Sequence, residues 1–347
     1  MNERYSRQTI LEGIGPSGQA KLNAAQVAVV GCGGLGAIAA AYLAGAGIGN
    51  LILIDGDKPE LSNLHRQVFF NPENQKTKAE ELQIKLSKLN SDIYIKAVPA
   101  HLTKTNIDEL LTGIDLVLEC TDNQPTKYLV NDFCALEGIP TVYSAIHKYE
   151  GYVSLFANQT EEDIHLRDIF PIPNPNLPVC SEVGVMNTIA GLMGVLQANE
   201  ALKHLLGIGE SLSGKLLTYD CLTNRQLVIQ LNKNWTEDLE LLYENNSYKE
   251  EANDHIPEIE YADLIKERDS IHLISVMAKA EHHAIDAETT WKAADELSSA
   301  DLSTDKKNVL YCRQGRISRQ VISRLLKVDN TLNVYSLKDG YKSVLKK

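Results

Sequence analysis

Gly31, Gly33 and Gly36, within "VVGCGGLGAIAA" (29–40), are spaced G-x-G-x-x-G between an apolar strand and an alanine-rich helix. The chemistry open to such a loop is phosphate binding. Gly31 permits the tight turn, Gly33 lets backbone N–H groups approach an anion, and Gly36 lets the helix pack closely. Asp55 ends the next apolar run, "LILIDGD" (51–57). A carboxylate there can accept hydrogen bonds from ribose hydroxyls. These residues imply a nucleotide but leave its identity open, and the competing reading is a packing turn in an empty sheet.

Beyond Asp55, "DGDKPELSNLHRQVFF" (55–70) crowds Asp57, Asn63, Arg66 and Gln67 together, and Lys78 follows near the start of a helix. Phosphoryl or nucleotidyl transfer needs cations and amide donors on phosphate oxygens, with an acid for magnesium. An oxidoreductase using a nicotinamide cofactor needs no such cluster. For any one of these residues alone, a solvated charged loop is the plainer reading. Cys180 offers separate chemistry. It follows a proline-rich loop, "FPIPNPNLPVC" (170–180), and precedes a helix. A thiolate is favoured near a helix N-terminus, so Cys180 reads either as a nucleophile or as an idle thiol. Cys32 reads as a small packed residue, and Cys120, Cys134 and Cys221 as core or near-core cysteines. The adjacent His282 and His283 point in different directions and read as a solvated loop rather than a metal site.

The elements that must position these residues alternate. Apolar runs at 26–31, 51–57, 93–98, 115–120 and 141–145 predict strands, and 34–46 and 77–89 predict helices. Strand and helix in alternation predict a Rossmann-like, doubly wound, mostly parallel sheet with ligand sites at the strand ends. From 151 the pattern changes. "GYVSLF" (151–156) alternates, about 185–206 is a long helix, and "GKLLTYD" with "RQLVIQL" predicts an antiparallel extension. "NWTEDLELLYENNSYKEEAND" (234–254) is polar and acidic, a linker by composition. The expected organisation is therefore a first domain over 1–235, an acidic linker over 236–255, and a smaller α/β domain over 256–347.

The formal net charge of −12 over 347 residues argues against nucleic acid, whose phosphates need a basic face. Six scattered cysteines suit a reducing compartment better than a disulfide framework. "MNERYSRQTILEG" has no apolar core of a secretory signal. The apolar stretch Ala37–Ile54 is broken by Gly45, Gly47, Gly49 and Asn50, so it divides into helix, turn and strand. The expectation is a cytoplasmic protein with no membrane partner.

"RYSRQ" (4–8), "GCGGLG" (31–36), "DGD" (55–57), "SNLHRQ" (62–67), "KTKAE" (76–80) and "CTDN" (120–123) stand in a distinctive order and spacing. "CSEVGV" (180–185) followed by "GLMGVLQANEALKHLLG" extends the set. On these motifs the chain resembles the MoeB/ThiF family of adenylating enzymes, relatives of the ubiquitin-activating enzymes, over about residues 1–232. The resemblance implies ATP-dependent adenylation of the C-terminal glycine of a ubiquitin-like sulfur-carrier protein ending in Gly-Gly. Such a carrier would be MoaD- or ThiS-like, in molybdopterin or thiamine-type sulfur transfer. Its carboxylate would attack the α-phosphate of ATP, and pyrophosphate would leave. No general base is required, because that carboxylate is already ionised near neutral pH.

On the matching positions, Gly34 and its glycine neighbours would cradle phosphates and Asp55 would hold the ribose. Asn63, Arg66 and Lys78 would contact the triphosphate, with Asp57, Ser62 and Gln67 lining the same pocket. Asp122 would hold Mg²⁺, with Asn123 beside it. Arg7 would reach the partner subunit's site in a homodimer. Cys180 aligns with a cysteine that, in some relatives, takes the activated acyl group or a persulfide. Many relatives also carry two C-x-x-C pairs for a structural zinc. Here "IHLRDIFP" (164–171) places His165 and Asp168 where the first pair would stand, and "NKNWTED" (232–238) has no cysteine. The expectation is no zinc, with that flap held by packing.

In the last stretch, "VLYCRQGRISRQVISRLLK" (309–327) resembles the rhodanese sulfurtransferase loop. Cys312, Gly315 and Ser318 fit its pattern. Ile317 takes the arginine position, with Arg313 and Arg316 close by. "LISVMAKAEHHA" (273–284) puts Ser275 and Met277 where the supporting Asp and Arg would stand. The resemblance implies a rhodanese-like fold and leaves two roles open. One is sulfur transfer to the adenylated terminus, fed by a donor such as a cysteine desulfurase. The other is a non-catalytic docking module.

Overall fold

The computed structural model describes residues 3–173, 184–248, 256–279 and 282–345. They fall into two compact units, the first up to residue 248 and the second from 256. In the first, strands β1 (Gln26–Val30), β2 (Asn50–Ile54), β3 (Tyr94–Val98), β4 (Leu116–Glu119), β5 (Thr141–His147), β6 (Glu150–Phe156), β7 (Lys215–Asp220) and β8 (Arg225–Gln230) build one sheet. Its order is β3-β2-β1-β4-β5-β6-β7-β8. The first five strands in that order pair in parallel. From β5 onward the pairing is antiparallel. This is the mixed α/β, mostly parallel architecture that the alternation predicts.

The sheet is covered on both faces because its central strands send apolar residues to both sides. In β1, Val27 and Val29 enter one core with the helices Gly36–Ala46, Lys78–Leu89 and Asn187–Leu206. Ala28 and Val30 enter another with Ile107–Leu111 and Gln124–Leu136. A strand buried on both sides reads as a continuous hydrophobic run. β8, by contrast, is the outer edge and is exposed at all six positions, Leu227, Val228 and Ile229 included.

Part of the acidic stretch 236–255 belongs to the first unit. The helix Leu239–Asn245 packs there, with Tyr243 against Phe133 at 6.3 Å between ring centroids. Lys104 Nζ caps it from below, donating to Glu244 O at 2.8 Å and Asn246 O at 3.0 Å. Composition reads this segment as linker because its anchors are two tyrosines and a row of carbonyls, which leave no apolar periodicity.

The second unit holds β9 (Glu258–Ile259), β10 (Ile271–Ser275), β11 (Thr290–Trp291), β12 (Lys307–Tyr311) and β13 (Val334–Leu337). They form an all-parallel sheet in the order β11-β10-β12-β13-β9. Its own core includes Leu273, Val309, Leu310 and Ile322. Among the described residues, no helix is long and apolar enough to cross a membrane.

Candidate active site

In the first unit the chain leaves β1 for β2 on one side, whereas β4 lies on the other side. Strand order reverses there, and the carboxyl ends of β1 and β4 open a crevice, the usual ligand position in such sheets. The glycine loop sits at that point. Gly31 has φ +88°, and its N–H donates to Ile54 O at 2.9 Å. A methyl group on Gly36 would lie 1.9 Å from Gly31 O, so only glycine lets the helix Gly36–Ala46 start this close to the strand.

Asp55, just past β2, ties the two loops together. One carboxylate oxygen accepts the Cys32 N–H and the other the Asp57 N–H, both at 2.8 Å. Its burial raises the carboxyl pKa, against the pull of Lys78 and these N–H groups. Each oxygen keeps a lone pair for a hydroxyl donor. Lys78 is the first residue of the helix Lys78–Leu89, which "KTKAE" starts with a capping box between Thr77 and Glu80. The Lys78 N–H donates to Asp57 O at 2.8 Å, and its ammonium lies 3.0 Å from Asp57 Oδ2. Burial works to lower its pKa, but Asp55 and Asp57 together hold it raised. The result is a buried, charged ammonium beside the crevice.

The segment Leu61–Gln67 lies over the glycine loop. A methyl group on Gly34 would meet Arg66 O at 3.3 Å and Arg66 Cγ at 3.4 Å, and one on Gly33 would meet Gln67 Nε2 at 3.3 Å. Asn63 Oδ1 accepts from the Arg66 guanidinium at 2.8 Å. Gln67 is buried with Oε1 unpartnered. Ser62 is exposed and bonds Glu60 at 3.3 Å.

The turn after β4 completes the crevice. Asp122 is exposed, and its charge acts on Lys78. Asn123 caps the helix Gln124–Leu136, accepting from the Thr126 N–H at 2.9 Å. Behind this turn stand three groups that the motifs do not single out: Glu119, Lys127 and Gln197. Their only sequence signals are an acid closing the apolar run "LVLE" and an amide inside an apolar helix.

Arg7 is not part of this gathering. Its neighbour Gln8 bonds Ala46 O at 3.0 Å, and Tyr5 bonds Asn90 at 2.8 Å. Both contacts lie where the helix Gly36–Ala46 ends and β2 begins, at the opposite end of the strands from the glycine loop. Arg7 itself is exposed. Cys180 lies outside the described residues.

The flap around His165 and Asp168 is held by a polar cluster. Asp168 accepts the His165 N–H at 2.9 Å and the Asn234 and Trp235 N–H groups at 2.7 Å each. It thus joins the segments 164–171 and 232–238. Arg167, fully buried, makes a two-point pair with Asp132 at 2.7 and 2.6 Å. It also stacks near Tyr128 and Trp235. The His165 Nδ1 accepts the Arg167 N–H at 3.2 Å, and burial lowers its pKa to about 4.

In the second unit, Cys312 follows the central strand β12 and is 2% exposed. Its Sγ lies 3.9 Å from Ser318 Oγ. The segment Gly340–Lys342 closes over the loop, with Tyr341 N–H donating to Cys312 O at 2.8 Å and Lys342 N–H to Arg313 O at 3.1 Å. Ser275 Oγ meets His282 Nδ1 at 3.0 Å, and Met277 is buried.

Comparison with known proteins bears on the first unit. Residues 5–238 match the ThiF family. The chain is 43% identical over 223 residues to the SAMP-activating enzyme E1 of Haloferax volcanii, covering 63% of this chain and 82% of that one. It is 43% identical over 238 residues to the sulfur carrier protein adenylyltransferase of Thermus thermophilus, covering 66% and 88%. Adenylyltransferase and sulfurtransferase MOCS3 of Mus musculus is 41% identical over 233 residues, which is 66% of this chain and half of that one. Among solved structures, E. coli MccB with ATP superposes with a TM-score of 0.58 at 22% identity, over 67% of this chain and 73% of that one. The last likeness is one of fold.

Proposed function

Because this chain belongs to the ThiF family, we propose that it uses ATP to adenylate the C-terminal glycine of a ubiquitin-like sulfur-carrier protein. The observation that carries the reading is Lys78. It is a buried ammonium kept charged by Asp55 and Asp57 at the crevice between β1 and β4. A triphosphate whose terminal phosphates depart as pyrophosphate needs a cation there to offset the charge that grows on them.

In this reading the glycine-loop N–H groups and Gln67 receive phosphate oxygens, Asp55 receives ribose hydroxyls, and Asn63 orients Arg66 toward the triphosphate. Arg66 and Lys78 offset the charge that grows on the α-phosphoryl oxygens and on departing pyrophosphate. Asp122, an exposed carboxylate whose charge acts on Lys78, fits Mg²⁺, which binds through one or two carboxylates plus substrate phosphates. When bound, the metal would supply further charge neutralisation on the phosphates. The carrier's carboxylate needs no protein base.

A homodimer is part of the proposal. Arg7 stands exposed beside Ile10 and Leu11, and the Arg66 segment carries exposed Leu61 and Val68. Apolar side chains flanking two arginines suit a face covered by a second copy that delivers Arg7 across the interface. Sedimentation of the purified chain as a monomer at micromolar concentration would count against it.

The test of the function is pyrophosphate exchange into ATP. Exchange should appear only when a ubiquitin-like protein ending in Gly-Gly is added; no exchange with any such carrier would reject adenylation. For the second unit, the docking role is favoured over sulfur transfer by one observation. Cys312 is 2% exposed beneath Gly340–Lys342, a poor position for a nucleophilic thiol.

A further inference from the structure

Glu119 is a carboxylate closing an apolar strand, and it is 1% exposed. A buried ion pair adds little stability over an apolar pair of the same size, so its geometry is the informative feature. Glu119 Oε2 lies 2.6 Å from Lys127 Nζ. Its Oε1 accepts both the Thr121 N–H, at 2.8 Å, and the Thr121 hydroxyl. Lys127 is steadied by Ser144 O at 3.4 Å and by the Tyr143 ring 5.3 Å away. Gln197 ties the Glu119 carbonyl at 2.9 Å and receives the Cys120 thiol at 3.3 Å. Asn123 is fixed as a helix cap. Every residue of the turn on either side of Asp122 is therefore held, while Asp122 projects to solvent.

We propose that Glu119 is a positioning residue for nucleotide binding: through Thr121 and Lys127 it holds Asp122 where the divalent cation on ATP is met. This rests on the function proposed above. Glu119 touches no substrate; it sets the direction of the residue that does.

The experiment is calorimetric titration of the full chain with ATP, once in Mg²⁺ and once in EDTA. In Glu119→Gln the dissociation constant in Mg²⁺ should rise about tenfold, the usual scale for an outer partner of a metal-binding group. The constant in EDTA should stay unchanged. Asp122→Asn should show the same selective loss, and the double variant no more than Asp122→Asn alone, since residues in one network do not add. Thr121→Val keeps the ion pair and should repeat the selective loss in smaller degree, which decides the matter if Glu119→Gln misfolds. Equal weakening with and without Mg²⁺, or losses that add in the double variant, would overturn the proposal. A wild-type chain that binds ATP in neither condition would instead overturn the nucleotide reading itself. Equal wild-type binding in both would remove the role of Asp122, and the positioning role with it.

Discussion

Arg66 is oriented by an amide and an imidazole rather than by an acid. Its guanidinium meets Asn63 Oδ1 at 2.8 Å and His65 Nε2 at 2.8 Å. Among the described residues it has no carboxylate ion pair, so its charge is free to act on an incoming anion. Lys78 differs, being shared with Asp57. In the proposed reaction both cations offset the growing charge, and Arg66, with no carboxylate competing for it, is the one whose loss should weigh on turnover more than on binding. Arg66→Ala should therefore lower carrier-dependent pyrophosphate exchange by about 10²–10³, the range for loss of one transition-state donor. Binding of ATP, followed by titration, should survive. Unchanged turnover in that variant would remove the role.

At the scale of the element, the flap is the part whose stability should respond to acid. His165 has an ordinary pKa of 6.5 and is lowered by burial to about 4 in the folded chain. Between those values the unfolded chain binds a proton that the folded chain refuses, so stability falls as pH drops through that window. The loss is at most about 3 kcal/mol. It should show as a falling Tm from pH 6.5 toward 4, and His165→Asn, which keeps an acceptor for the Arg167 N–H, should flatten that limb. A Tm profile identical in both proteins would show that His165 is not the sensor. Asp168 adds a later step. Its burial raises the carboxyl pKa, but three backbone N–H groups bring it below 3.8, so its contribution holds above that range and is lost only in stronger acid. The elements themselves are legible in the sequence, because continuous apolar runs and the Thr77–Glu80 capping box are local signals. The flap's cluster is not. Arg167 and Asp132 are 35 residues apart, and nothing local in either segment marks them as partners. Glu119 and Lys127 escape for a different reason, since the motif "CTDN" draws attention to the residues that face the ligand and not to those behind them.

For the whole molecule, the question is what two separately cored units do in one chain. The family match ends at residue 238, and the second unit brings a cysteine loop at the end of a parallel sheet. If that loop passes sulfur, Cys312→Ser should abolish thiocarboxylate formation on the adenylated carrier while pyrophosphate exchange continues. If the unit is a docking module, the variant should form thiocarboxylate at the wild-type rate when a sulfur donor is supplied. Mass spectrometry of the carrier distinguishes the two. The alternation of strand and helix makes the α/β character of both units legible. The docking of Leu239–Asn245 is not, since it depends on Lys104, more than a hundred positions upstream.

β8 ends the large sheet with all six residues exposed, three of them apolar in succession. Its outer row of N–H and C=O groups is a template on which another chain's strand can pair. The isolated protein thus carries a colloidal liability along one edge, opposed by the mutual repulsion of molecules bearing a net charge of −12. That repulsion is screened over about 10 Å in 0.1 M salt. Solutions of this protein should therefore keep best at low salt, and turbidity on raising ionic strength is the outcome that the exposed β8 edge predicts.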